Sequence, residues 1–157
     1  MPRPTKKFTK EEALRKLYKY CAYQERCHQE VNHKLYEWGF DYEERGNIIV
    51  HLMGESFLNE ERFTRAFVRG KFNQKKWGKN KIIQGLKQKG IKDNLIKIAL
   101  SEIDEIEYLN VLRQSISKKA NLVKGKNEFL RNKKIAQFVI NKGFEADIVW
   151  ECLKEGK

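Results

Sequence analysis

One short pattern occurs three times along the chain and limits what it can fold into more than any other feature. Leu35-Tyr36-Glu37-Trp38-Gly39-Phe40 returns as Leu86-Lys87-Gln88-Lys89-Gly90-Ile91, and again as Val139-Ile140-Asn141-Lys142-Gly143-Phe144. Repetition at a period of about fifty residues points to tandem structural units. Four positions before each glycine stands Leu35, Leu86 or Val139, and eight before stands Val31, Ile82 or Ile135. Offsets of four and eight share one helix face, so each segment reads as an amphipathic helix. The glycine falls where such a helix stops in a left-handed turn. The next residue, Phe40, Ile91 or Phe144, is expected to fold back onto the helix end.

A helix follows each glycine, marked by Ile48, Ile49, Leu52 and Met53, then by Leu95, Ile98, Ala99, Leu100 and Ile103, then by Ile148, Val149, Cys152 and Leu153. Asp41, Asp93 and Asp147 lie near their starts as caps or first-turn acids. A helix also precedes each pattern. Ala13, Leu14, Leu17, Tyr18 and Cys21 mark the first, with Thr9 and Glu12 spaced as a capping box. Phe63, Ala66 and Phe67 mark the second, behind Asn59 as cap. Leu109, Leu112, Ile116 and Ala120 mark the third. A loop spanning Asn121–Asn132 interrupts the last unit. Strand signals are nearly absent, and Ile48-Ile49-Val50 fits a buried helix better. Pro2 and Pro4 are the only prolines, so nothing later in the chain removes a backbone donor. The expected fold is all-α, with three-helix units over residues 1–57, 58–103 and 104–157. Stacked units of this size bury their apolar faces partly against neighbours, so an elongated or curved molecule is expected.

The charge is unevenly placed. The net charge of +12 comes from 33 basic and 21 acidic residues, and an excess of that size favours an anionic partner. Residues 59–90 carry a net +8 and residues 124–142 a net +5, while the rest nearly cancels. In the first block Arg62, Arg65 and Arg69 recur opposite the Phe63/Phe67 stripe, and Lys71, Lys75, Lys76, Lys79 and Lys81 surround Trp77-Gly78. In the second, Lys124, Lys126, Arg131, Lys133 and Lys134 lead into Ile135. A lysine-rich helix face is ordinarily a solvated face; it is the clustering into two blocks that argues for a binding surface. Units stacked in register are expected to bring both blocks onto one concave side. Phe72 and Trp77 are the aromatic candidates for stacking on bases beside the phosphates. No helix-turn-helix recognition helix is evident, so DNA contact is expected to be phosphate-driven and sensitive to salt.

Several function classes lose support. No glycine-rich phosphate loop, HExxH or GxSxG occurs, so an enzyme is not expected. The acids Glu102, Asp104, Glu105 and Glu107 gather at a helix start, where the dipole favours them. Cys21, Cys27 and Cys152 are odd in number and lack metal-ligand spacing, and read as small buried residues. His28, His33 and His51 have no nucleophile partner and read as surface or interface histidines. No metal or cofactor is expected. No apolar run approaches the length of a membrane span, and the N-terminus lacks the apolar stretch of a signal peptide. The expectation is a cytoplasmic monomer that does not bind membranes.

The middle unit carries a family resemblance. Phe57-Leu58-Asn59-Glu60-Glu61-Arg62-Phe63-Thr64-Arg65-Ala66-Phe67-Val68, followed by Trp77-Gly78-Lys79-Asn80-Lys81-Ile82 and Leu86-Lys87-Gln88-Lys89-Gly90-Ile91, resembles the RecX family. There an acid-x-Arg-Phe-Ala segment precedes Lys-x-Gly-x-x-x-Ile and Leu-x-x-Lys-Gly-Ile. Arg26 to Leu35 is similar to that family's opening motif, with Cys27-His28 where a serine is usual. Lys134 to Phe144 is similar to its C-terminal repeat. The resemblance implies three tandem three-helix repeats. It also implies binding to the RecA–single-stranded DNA filament, with lowered ATP hydrolysis, strand exchange and filament growth, in recombination, DNA repair and the SOS response. Its basic clusters would then meet RecA, single-stranded DNA or double-stranded DNA. On the residues alone, a basic helical module binding nucleic acid without a recombinase remains open.

Overall fold

The structure, a computed structural model, describes residues 5–155; Pro2 and Pro4 lie outside them. Among these residues the chain forms nine helices and no strand. The first unit holds α1 (Lys10–Tyr23), α2 (His28–Glu37) and α3 (Tyr42–Gly54). The second holds α4 (Glu60–Asn73), α5 (Lys79–Gln88) and α6 (Asp93–Leu100). The third holds α7 (Glu105–Leu122), α8 (Glu128–Asn141) and α9 (Ala146–Glu155).

Local chemistry sets the helix ends. Thr9 and Glu12 close a capping box on α1, and Asp41 and Glu44 close one on α3. Asn59, Asp104 and Asn127 accept from the third backbone N–H of α4, α7 and α8. Asp93 and Asp147 stand in the first turns of α6 and α9. Gly39, Gly90 and Gly143 take φ of +88°, +76° and +106°, a left-handed stop that only glycine makes without strain. Phe40 N–H then bonds Leu35 O at 3.1 Å, and Ile91 N–H bonds Leu86 O at 3.1 Å. Phe40, Ile91 and Phe144 are all buried. Two expectations need correction. The α7–α8 connection is only residues 123–127, because α7 runs on to Leu122 and Asn127 already caps α8. Within Ile48-Ile49-Val50 only Ile48 is buried, and Val50 faces solvent.

The apolar core is divided unequally. α1–α3 close around Leu17, Val31, Leu35, Phe40, Ile48 and Leu52. α4–α9 share a second, continuous cluster that runs from Phe63 to Leu153 and takes in Cys27 from the first unit. The accessible surface is 10,346 Å² for 18.7 kDa. A compact monomer of that mass exposes roughly 8,300 Å², so the excess agrees with units set side by side rather than around one centre.

The two junctions differ in chemistry. Between units one and two, polar pairs dominate: Arg62 Nε to Glu25 at 2.7 Å, Lys89 Nζ to Glu30 at 3.3 Å, and the His28 N–H to Glu60 at 3.2 Å. Between units two and three, backbone meets backbone. Gly78 N–H donates to Lys142 O at 2.8 Å, and Asn80 N–H to Gly143 O at 2.9 Å. Tyr108, 1% exposed, lies against Phe72 and Phe144. Its hydroxyl donates to Glu145 and accepts the Lys79 N–H at 2.9 Å. Burial, and then the Glu145 hydrogen bond, hold that phenol above its ordinary pKa. Tyr108→Phe leaves a first-turn N–H of α5 without its acceptor. It is expected to cost about 1–3 kcal/mol, read as a lower urea midpoint with unchanged helix content.

Candidate functional site

The arginines of the first basic block are engaged inside the molecule. Arg62 joins Glu25 and donates to Ser56 O at 2.8 Å, tying unit two to unit one. Arg65 pairs with Glu61 at 3.1 Å and with Glu102, and Arg69 reaches Glu102 at 3.8 Å. Arg131 of the second block donates to Ala120 O at 2.7 Å and Val123 O at 3.3 Å, capping the end of α7. Lys79 pairs with Glu105 at 2.6 Å and lies 4.5 Å from the centre of the Tyr108 ring. Lys71 and Lys81 cover Trp77 at 4.7 and 4.4 Å. Phe72 is core, 4% exposed, and Trp77 is half-buried. Neither presents an open ring for stacking.

The remaining candidates are exposed. Lys75, Lys76, Lys124, Lys126, Lys133 and Lys134 face solvent, and among the described residues none has a carboxylate within ion-pair distance. Lys134 stands four residues before Phe138 on one face of α8. Phe138 borders a cavity of about 230 Å³ between units two and three.

That cavity collects charge from three places. Lys76 comes from the loop between α4 and α5, Lys118 and Lys119 from the last turns of α7, and Lys142 from the residue that ends α8. No acidic residue lines it. Burial pushes the Lys142 amine below its ordinary pKa, and the charges of Lys118, Lys81 and Lys76 push the same way. Of these four, only Lys76 belongs to the lysine clusters that stand out in the sequence. Lys118 and Lys119 sit in a stretch of balanced charge, and Lys142 closes the second basic block apart from its lysine cluster.

The cysteines belong to packing. Cys21, Cys27 and Cys152 are free and buried, and burial pushes the Cys27 thiol up from 9.0 to about 11. A thiol pKa raised by folding favours the folded state while the thiol is protonated. That contribution is complete below pH 9 and is lost as pH climbs towards 11. The urea midpoint should therefore fall across that window, and less steeply in Cys27→Ala.

The helical fold described above recurs in known proteins. The family model for the second three-helix domain of RecX matches residues 59–100. The regulatory protein RecX of Prosthecochloris aestuarii is 31% identical over 144 residues, covering 91% of this chain and 92% of the relative. The chain belongs to the RecX family. The Clostridium botulinum RecX is 33% identical, but there the chain spans only 60% of the relative's length, and in Bacillus mycoides RecX 51%. The crystal structure of RecX from Lactobacillus salivarius superposes with a TM-score of 0.83 at 25% identity, covering 93% of this chain and 95% of that one. The RecX fold therefore extends over all three units. Among the described residues no helix is long and apolar enough to cross a membrane.

Proposed function

We propose that this RecX protein binds the RecA–single-stranded DNA filament and restrains it, lowering ATP hydrolysis, strand exchange and filament growth. The observation that carries this reading is the set of exposed lysines that have no carboxylate partner among the described residues, Lys75, Lys76, Lys124, Lys126, Lys133 and Lys134. They leave a surplus of positive charge free for a polyanionic partner, in a chain related to regulatory proteins along nearly its whole length. Three linked units contact neighbouring filament protomers at once, so individually weak contacts add through effective concentration. Bridged protomers are held against the rearrangement that ATP turnover needs. Arg62 and Lys79 hold the units in their relative positions, and the exposed lysines meet the filament's phosphates and acidic surfaces.

The test is ATP hydrolysis by the cognate recombinase on single-stranded DNA, titrated with this protein. Inhibition at protein levels well below those that coat the DNA is the expected result. Inhibition only at DNA saturation, or none, would replace the filament reading with that of a module binding nucleic acid directly.

A further inference from the structure

The cavity between units two and three has features that a general phosphate-binding face does not need. Its four lysines come from the loop after α4, the last turns of α7 and the residue that ends α8, and they line one space with no carboxylate among them. Like charges held together raise the free energy of the empty site, and an anion of matching charge relieves it. Lys76 stands at φ +58°. This is the left-handed position after α4, where the Trp77 N–H returns to Lys71 O at 3.0 Å. Glycine is the favoured residue at such a helix stop, and Lys76 keeps its amine there at a backbone cost. The opposite wall is apolar. Leu122 is 74% exposed and Phe138 41% exposed, and Lys119 Nζ lies 4.3 Å from the centre of the Phe138 ring. Ser115 and Gln114 add hydrogen-bonding groups to the lining.

The volume is below the roughly 300–1,000 Å³ of pockets for drug-sized ligands, which suits one phosphate-bearing unit and excludes a large cofactor. Charge then discriminates between kinds of phosphate. An internal diester of a nucleic-acid strand carries one negative charge. A phosphomonoester carries about −1.5 to −2 with three acceptor oxygens, a better match for four converging amines. We infer that this cavity binds the terminal phosphomonoester of a nucleotide, the phosphate among Lys76, Lys118, Lys119 and Lys142 and the base against Phe138 and Leu122. The ligand is either the 5′-phosphorylated end of a DNA strand or a free mononucleotide. The inference goes beyond the filament reading and is tested without recombinase, so the two fail separately.

The experiment measures binding of a short thymidine oligonucleotide by fluorescence anisotropy, with its 5′ end either phosphorylated or bearing a hydroxyl. At moderate salt the phosphorylated strand is expected to bind at least tenfold more tightly. Lys118→Gln/Lys142→Gln should abolish that preference and leave the affinity for the hydroxyl strand nearly unchanged. Lys76→Gly should weaken the preference while raising the melting temperature, since it relieves the left-handed lysine. Thymidine monophosphate competing as well as the strand end would identify the source as free nucleotide; poor competition would identify it as the DNA end. Equal affinity for the two strands, or inorganic phosphate competing as well as the nucleotide, would overturn the assignment.

Discussion

Gly78→Ala is expected to destabilise the protein by about 3–5 kcal/mol. A Cβ at Gly78 would lie 2.2 Å from Phe144 N and 2.3 Å from Gly143 C, both backbone atoms that no rotamer change can move. The junction between units two and three must then open. Opening it breaks the Gly78–Lys142 and Asn80–Gly143 hydrogen bonds, each contributing about 1 kcal/mol, on top of the overpacking itself. For a chain of this size the melting temperature should fall by roughly 10 °C. The loss should fall on α4–α9, because α1–α3 have their own apolar cluster. Gly46→Ala is the control. It lies inside α3, and a Cβ there meets nothing within 4 Å, so it should stabilise by about 0.5–1 kcal/mol. A Gly78→Ala protein that melts with the wild type would show that the junction is not closed by backbone contact.

Reversing Lys124, Lys126, Lys133 and Lys134 to glutamate is expected to weaken filament binding by about 100-fold at low salt with no change in melting temperature. All four are exposed and unpaired among the described residues, so the fold does not depend on their charge. If each meets a single-strand phosphate, the dependence of log affinity on log salt should become shallower by about 3. Arg62→Glu and Arg65→Glu should behave in the opposite way. They would face Glu25 in one case and Glu61 and Glu102 in the other, and lose stability before binding by the folded protein changes. A quadruple lysine variant that binds with wild-type affinity and salt slope would remove these lysines from the interface.

The two sets look alike in sequence because charge density was the only measure available there. Glu25 is 37 residues from Arg62, and Glu102 is 37 from Arg65. Of these arginines' pairings only Glu61–Arg65, four residues apart on α4, falls within a local window; those with Glu25 and Glu102 do not. The opposite error hides the four-lysine cavity. Residues 91–123 carry five basic and five acidic groups and read as neutral. Yet Asp104, Glu105 and Glu107 sit at the start of α7 and Lys118 and Lys119 at its end, about 20 Å apart at the rise of an α-helix. Averaging along the chain cancels charges that the helix holds apart. Tyr108 was missed for a related reason. The Leu109, Leu112, Ile116 and Ala120 stripe locates a buried face, but the buried residues are Tyr108, Val111, Leu112 and Ser115. The core face is turned from the stripe by contacts with Phe72 and Lys79, which belong to another unit.

What the sequence determined by itself is everything that interactions within a few residues decide. Helix period, the caps at Thr9, Asp41 and Asn59, and the left-handed stops at Gly39, Gly90 and Gly143 all act over one or two turns, so nine helices in three units could be read directly. Only the tertiary structure decided which basic groups remain free. Pairing of charges, the closure of Gly78 on Phe144 and the convergence of Lys76, Lys118, Lys119 and Lys142 depend on distances between units, and those distances are set by packing that no local pattern encodes.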